Sequence, residues 1–191
     1  YCDTYRVQHR GCKGLIEMKT KEEDVVVDSF MTSTHDYIMF FTNQGKAFWL
    51  KGYKIPEGSR HSKGKAIINL LPRLEDGEYV ETAIPIHEFD DQHYLVFITK
   101  NGIIKKTALS SYSNIRVNGV RAINLEEGDE LIETKLSDGK QTIMIATANG
   151  QACRFNEKET RPMGRVTHGV IGIRLRKSDK VVSMAVIEEE G

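Results

Sequence analysis

Residues Tyr37-Ile-Met-Phe-Phe-Thr-Asn-Gln-Gly-Lys-Ala-Phe48 join an apolar run, rich in aromatic and β-branched side chains, to a second strand through Thr-x-x-Gly. The arrangement returns at Tyr94-Leu-Val-Phe-Ile-Thr-Lys-Asn-Gly-Ile-Ile-Lys105 and at Ile143-Met-Ile-Ala-Thr-Ala-Asn-Gly-Gln-Ala-Cys-Arg154. Asn101-Gly102 and Asn149-Gly150 are strong hairpin turns, because the type I′ geometry that matches strand twist needs φ > 0 at both central residues. Three β-hairpins with one layout therefore announce a repeat, and a repeat decides the fold before any single element does.

Working outward, a second signature follows each hairpin: Lys63-Gly-Lys-Ala-Ile-Ile-Asn-Leu70, Asn118-Gly-Val-Arg-Ala-Ile-Asn-Leu125 and His168-Gly-Val-Ile-Gly-Ile-Arg-Leu175. Glycine spacings of 55 and 50 there match hairpin spacings of 57 and 48. Polar turns come next, at Glu75-Asp-Gly-Glu78, Glu126-Glu-Gly-Asp129 and Lys177-Ser-Asp-Lys180, followed by strands over 79–86, 130–136 and 181–187. Each unit thus has four predicted strands. Half of one more opens the chain, where Lys13-Gly-Leu-Ile-Glu-Met18 precedes a charged turn at 21–24 and a strand at 25–30. The fold expected is all-β, a propeller-like or pinwheel array of four-stranded blades. Its one domain, 1–191, divides into a partial blade at 1–33 and blades near 34–88, 89–138 and 139–191. No helical periodicity competes. A start at Tyr1 and an end at Glu188-Glu-Glu-Gly191, where another hairpin is expected, point to an incomplete array.

Lys plus Arg and Asp plus Glu number 27 each, so bulk charge names no partner. Charge by repeat phase does. The net is +5 over 43–70, +4 over 101–122 and +5 over 150–177, against −6 over 71–98 and −4 over 123–142. Equivalent phases of a repeat occupy equivalent surfaces, so alternation in sequence becomes segregation in space. One edge should be basic and another acidic. A basic strip along a repeat array suits the evenly spaced charges of a nucleic-acid backbone, bound by phosphate contacts and counterion release rather than by base reading. The candidate contacts are Lys46, Lys51, Lys54, Arg60, Lys63, Lys65, Lys105, Lys106, Arg116, Arg121, Arg154, Arg161 and Arg165, on double-stranded DNA without sequence preference.

Arg6, Gln8, His9, Arg10, Gly11, Lys13 and Gly14 extend this set into the opening loop, in the phase of the later glycine loops. Two readings fit it: a loop whose glycines let backbone approach a phosphate while cations neutralise it, or a surface turn with incidental charge. Here the chain resembles the C-terminal domain of the DNA gyrase A subunit, whose box reads Gln-[Arg/Lys]-Arg-Gly-Gly-[Arg/Lys]-Gly. Gln8, Arg10, Gly11, Lys13 and Gly14 match it, while His9 replaces a base and Cys12 a glycine. The stretches 54–71 and 161–175 also look like later blades of that family. The resemblance implies a β-pinwheel that wraps duplex DNA on its rim so that the enzyme introduces negative supercoils. It also implies that ATP, Mg²⁺ and the cleavage chemistry belong to the B subunit or to the rest of the A subunit, with no cofactor, metal or catalytic residue in this chain. The related topoisomerase IV, whose A subunit serves an enzyme that relaxes and decatenates, is the alternative family.

Other classes fit less well. Cys2, Cys12 and Cys153 are odd in number and lack C-x-x-C spacing, which argues against a disulfide framework or a zinc site and favours a reducing cytoplasm, near the nucleoid if DNA is the partner. No run of about 18 apolar residues offers a membrane span. The six histidines show no metal-ligand spacing, and no G-x-S-x-G elbow or phosphate loop occurs. A propeller that binds protein partners is the remaining rival, and salt dependence separates it from a DNA binder.

Overall fold

The computed structural model describes residues 30–57, 69–71, 74–114, 116 and 118–188. Apart from short 3₁₀ turns, its regular elements among the described residues are antiparallel strands: β1 (Tyr37–Thr42), β2 (Lys46–Lys51), β3 (Val80–Ile86), β4 (Tyr94–Thr99), β5 (Ile103–Ala108), β6 (Val120–Arg121), β7 (Leu131–Ser137), β8 (Thr142–Thr147), β9 (Ala152–Asn156), β10 (Val170–Ile171) and β11 (Val181–Ile187). The hairpins β1–β2, β4–β5 and β8–β9 form where the Thr-x-x-Gly turns place them, with Phe40 facing Phe48 and Phe97 facing Lys105. Gly45, Gly102 and Gly150 take φ of 77°, 85° and 79°, but Asn101 and Asn149 do not share the left-handed region, so the type I′ turns expected from Asn-Gly are corrected. Each turn closes from the glycine N–H to the Thr42, Thr99 or Thr147 carbonyl, with the glycine alone at positive φ.

The sheets run β3-β1-β2-β6, β10-β5-β4-β7 and β11-β8-β9. Four strands per blade is therefore right for the first two, yet the fourth strand is not the unit's own. The segment after Gly119 adds β6 to the preceding unit's β2, and the segment after Gly169 adds β10 to the preceding unit's β5. The sequence pattern alone groups each such strand with its own hairpin, and the structure corrects that grouping. Backbone bonds fix the exchange, because Gly45 O accepts from Ala122 N at 2.8 Å and Gly102 O accepts from Gly172 N at 2.9 Å. The approach is so close that a Cβ on Gly45 or Gly102 would lie 2.8 or 2.6 Å from the carbonyl oxygen of Ile123 or Ile173. Gly119 and Gly169 share one role and one backbone state, with φ of 77° and 104°; Gly14 and Gly64 lie outside the described residues.

Each turn between the glycine segment and the last strand contains an acid that ties it to a hairpin. Thr42 Oγ1 donates to Glu78 Oε1 at 2.7 Å, and Thr147 Oγ1 donates to Asp179 Oδ2 at 2.6 Å. In the middle unit Asp129 Oδ1 accepts from Asn101 N at 3.0 Å. Gly77, Gly128 and Ser178 precede these acids, all at positive φ.

Packing explains the unbroken apolar runs. On β4, Leu95 and Phe97 face the first sheet, joining Met39 and Phe41, while Val96 and Ile98 face the third, joining Ile143 and Ile145. A strand covered on both faces has no polar face to alternate with. Phe41 and Phe97 meet edge to face at 5.6 Å between ring centres. Burying each such side chain contributes roughly 1.5–3 kcal/mol.

Candidate nucleic-acid interface

The strand exchange decides where the expected basic contacts lie. The segment carrying Arg116 and Arg121 crosses onto the first blade, and the segment behind Arg161 and Arg165 crosses onto the second. Asn124 N donates to Thr167 O at 3.0 Å, so the two crossing segments lie side by side. Arg116, Arg121 and Arg161 are exposed and Arg165 is half-buried. Arg174, Arg176 and Lys177, counted in the phase charge but not singled out as contacts, are exposed just beyond β10. The signal for them was available, since they supply three of the seven bases in the 150–177 phase.

Other expected contacts fare differently. Lys54 and Arg154 are exposed, Arg154 on β9. Lys51 is half-buried, its Nζ 3.5 Å from the centre of the Tyr37 ring. Lys46 is spent on neighbouring acids, 2.5 Å from Glu75 and 3.4 Å from Glu78. Arg6, Gln8, His9, Arg10, Gly11, Lys13, Gly14, Arg60, Lys63 and Lys65 lie outside the described residues.

Two expectations are corrected outright. Lys105 and Lys106 are 0% and 3% exposed, out of reach of any phosphate on the surface. Lys105 Nζ donates to Ala122 O at 2.7 Å and to Arg165 O, and Lys106 Nζ donates to Glu157 O at 2.8 Å. Both strand faces are covered by neighbouring sheets and crossing segments, so even adjacent lysines point inward. Burial, with the Arg165 guanidinium nearby, brings the Lys105 ammonium down to about 8.

The acidic surface is also less separate than the phase count implied. Glu78 and Asp129, at 7% and 9% exposure, are structural acids and add little surface charge. Glu75 is exposed, but its carboxyl is held below the usual range chiefly by the Lys46 ammonium, with a contribution from Arg121 across the strand pair. Burial first, then Glu133 and Glu130, pushes Glu81 up, which locates an acidic strip where β3 approaches β7. Tyr112 is fully buried and donates its hydroxyl to Ala122 O at 3.1 Å. Among the described residues no helix is long and apolar enough to cross a membrane.

The family described as "DNA gyrase C-terminal domain, beta-propeller" matches residues 2–33, 36–87, 93–136 and 141–188. The chain belongs to the DNA gyrase C-terminal domain family. It is 52% identical over 170 residues to the gyrase A protein of Halalkalibacterium halodurans, covering 89% of this chain and 20% of that protein. With the gyrase A protein of Staphylococcus epidermidis it shares 46% over 188 residues, 98% of this chain and 21% of the other. The chain thus spans about a fifth of the relatives it matches. Among solved structures, the C-terminal domain of DNA topoisomerase IV superposes with a TM-score of 0.81 at 30% identity, covering 91% of this chain and 54% of that one. A DNA gyrase A C-terminal domain gives 0.72 at 25% identity, over 97% and 59%. Backbone likeness therefore does not divide the two enzymes, whereas the identity with gyrase A proteins favours gyrase.

Proposed function

We propose that this chain is the DNA-wrapping part of a gyrase A protein, holding duplex DNA along the crossing segments without reading its sequence. The observation that supports this reading is the bond from Asn124 N to Thr167 O, which joins two segments flanked by exposed Arg116, Arg121 and Arg161 and half-buried Arg165. Cations repeated along a line match phosphates repeated along a line, and affinity then comes from released counterions. In the holoenzyme the wrapped segment is presented for strand passage, so that ATP-driven negative supercoiling results. ATP and Mg²⁺ are bound by the gyrase B protein and by other parts of gyrase A, and the enzyme works in the cytoplasm on nucleoid DNA.

Replacing Arg161 and Arg165 together by Ala tests the reading. Two lost phosphate contacts lower the slope of log affinity against log salt by about 1.8, alike on unrelated duplexes. An unchanged slope would mean that the rim is only a solvated edge. The topoisomerase IV reading draws on the higher TM-score of that enzyme's domain. An intact enzyme that relaxes and decatenates but never supercoils would favour it.

A further inference from the structure

We propose that Lys105 is a positioning residue for the rim: its buried ammonium clasps the crossing segment 118–125 to the loop 160–168 and fixes the spacing of their arginines. The proposal rests on the DNA-wrapping reading above and adds a part to it.

Counted from its hairpin glycine, Lys105 stands where the first unit has Phe48 and the third has Cys153. An apolar side chain therefore suffices at this position for a blade to form. A buried charge is expensive unless its donors are satisfied, and an apolar residue of similar volume is often as stable or more so. Lys105 has no carboxylate within 4 Å among the described residues. What it has instead are two carbonyls from two separate rim segments: Ala122 O at 2.7 Å, one residue from Arg121, and Arg165 O, on a rim cation itself. Tyr112 supports the first carbonyl with its hydroxyl at 3.1 Å, and the Phe97 ring lies 5.7 Å beneath the ammonium.

The neighbouring bonds point the same way. Met163 N donates to Lys106 O at 2.7 Å, and Lys106 Nζ holds Glu157 O at the root of the same loop. The loop is thus fastened to β5 at its base by Lys106 and at Arg165 by Lys105. Together with the bond from Asn124 N to Thr167 O, these ties hold a loop that has no long strand of its own. A displacement of the loop moves Arg161 and Arg165 relative to Arg116 and Arg121, so phosphates that fit one pair no longer fit the other.

A four-protein cycle on the 191-residue chain tests this: wild type, Lys105→Met, Arg161→Ala with Arg165→Ala, and all three changes together, each titrated with duplex DNA across a range of salt. The arginine pair lowers the salt slope by about 1.8 and affinity near 0.1 M salt by up to about 60-fold. Lys105→Met is expected to lose much of the same slope although both arginines remain, and to add nothing in the triple variant, the non-additivity that marks a shared unit. Amide exchange at Asn124 should quicken in Lys105→Met as its bond to Thr167 O loosens. Wild-type slope in a folded Lys105→Met, or losses that add in the triple variant, would overturn the clasp while leaving the rim intact. Should the arginine pair have no effect, the rim reading fails and the clasp with it. If Lys105→Met does not fold, Lys105→Gln, an uncharged N–H donor of shorter reach, takes its place in the cycle and is judged by the same outcomes.

Discussion

Gly102→Ala and Gly150→Ala form a matched pair that isolates the strand exchange. Both glycines end Thr-x-x-Gly turns, and their φ values of 85° and 79° make the intrinsic cost of a Cβ nearly equal, roughly 1–2 kcal/mol for an L-residue in the left-handed region. Their surroundings differ. A Cβ on Gly102 would lie 2.6 Å from Ile173 O and 3.0 Å from Ile173 Cγ2, while one on Gly150 meets nothing within 4 Å.

Relief at Gly102 requires the crossing segment to back away. Doing so breaks or stretches the bonds from Gly172 N at 2.9 Å and Ile173 N at 3.2 Å to Gly102 O, each contributing roughly 0.5–1.5 kcal/mol. It also uncovers part of Ile173, a side chain whose full burial contributes roughly 1.5–3 kcal/mol. The excess of Gly102→Ala over Gly150→Ala is therefore about 2–5 kcal/mol. At roughly 2–4 °C per kcal/mol for a chain of this length, its melting midpoint should fall at least about 4 °C further. Thermal unfolding followed by circular dichroism reads this directly. Equal losses in the two variants would refute the reasoning, because the closeness of the crossing segment would then carry no energy.

The remaining predictions concern charge. The Asp179 carboxyl is held below the usual range first by the Thr147 hydroxyl, so its contribution to stability is present above the ordinary aspartate pKa and is lost as pH falls through the lowered one; Thr147→Val should bring the carboxyl back toward its ordinary value by NMR titration and weaken that acid dependence. Lys105 titrates near 8 when folded and near 10.5 when unfolded, so between those values the unfolded chain binds the extra proton and stability rises with pH; denaturant titrations of Lys105→Met should show that rise removed. In the opening box, Arg10→Ala with Lys13→Ala should leave the intact enzyme able to relax and decatenate DNA while abolishing negative supercoiling; a double variant that supercoils at the normal rate would remove the box from the wrap.

The hairpins and the last strand of each unit were legible because their signals are local. Alternating or continuous apolar runs bounded by glycine turns place strands within a residue, 79–86 against the observed 80–86 and 130–136 against 131–137. The strand exchange was not legible, since β6 and β10 are two residues long and period-two patterning reports a face, never a partner. Lys105 and Lys106 misled for a related reason. A lysine in a strand normally marks a solvated face, and here parts of the chain distant in sequence bury both, with Lys105 against Ala122 and Arg165 and Lys106 against Glu157 and Tyr94. The hint lay in the repeat, where Lys105 aligns with Phe48. Glu78 and Asp129 likewise read as surface charge, although an acid recurring one step after the turn glycine and close before the strand is a pattern that a structural tie requires.

The energetics of the proposed wrap explain why rim geometry should matter more than rim charge. A phosphate contact with a log-log slope near 0.9 contributes about 1.2 kcal/mol at 0.1 M salt relative to 1 M. Arg116, Arg121, Arg161 and Arg165 together then supply about 5 kcal/mol, against roughly 1–6 kcal/mol to bend 20–30 base pairs by 40–90°. Four well-placed contacts about balance the bend, so losing one or two tips the segment from curved to straight while the DNA stays bound through the rest. Curvature is thus the steeper function of contact geometry, and affinity the shallower. Hydrogen-bonding each cation-bearing segment into the preceding blade serves the steeper one, because it makes the spacing between successive arginines a property of blade packing rather than of loop conformation.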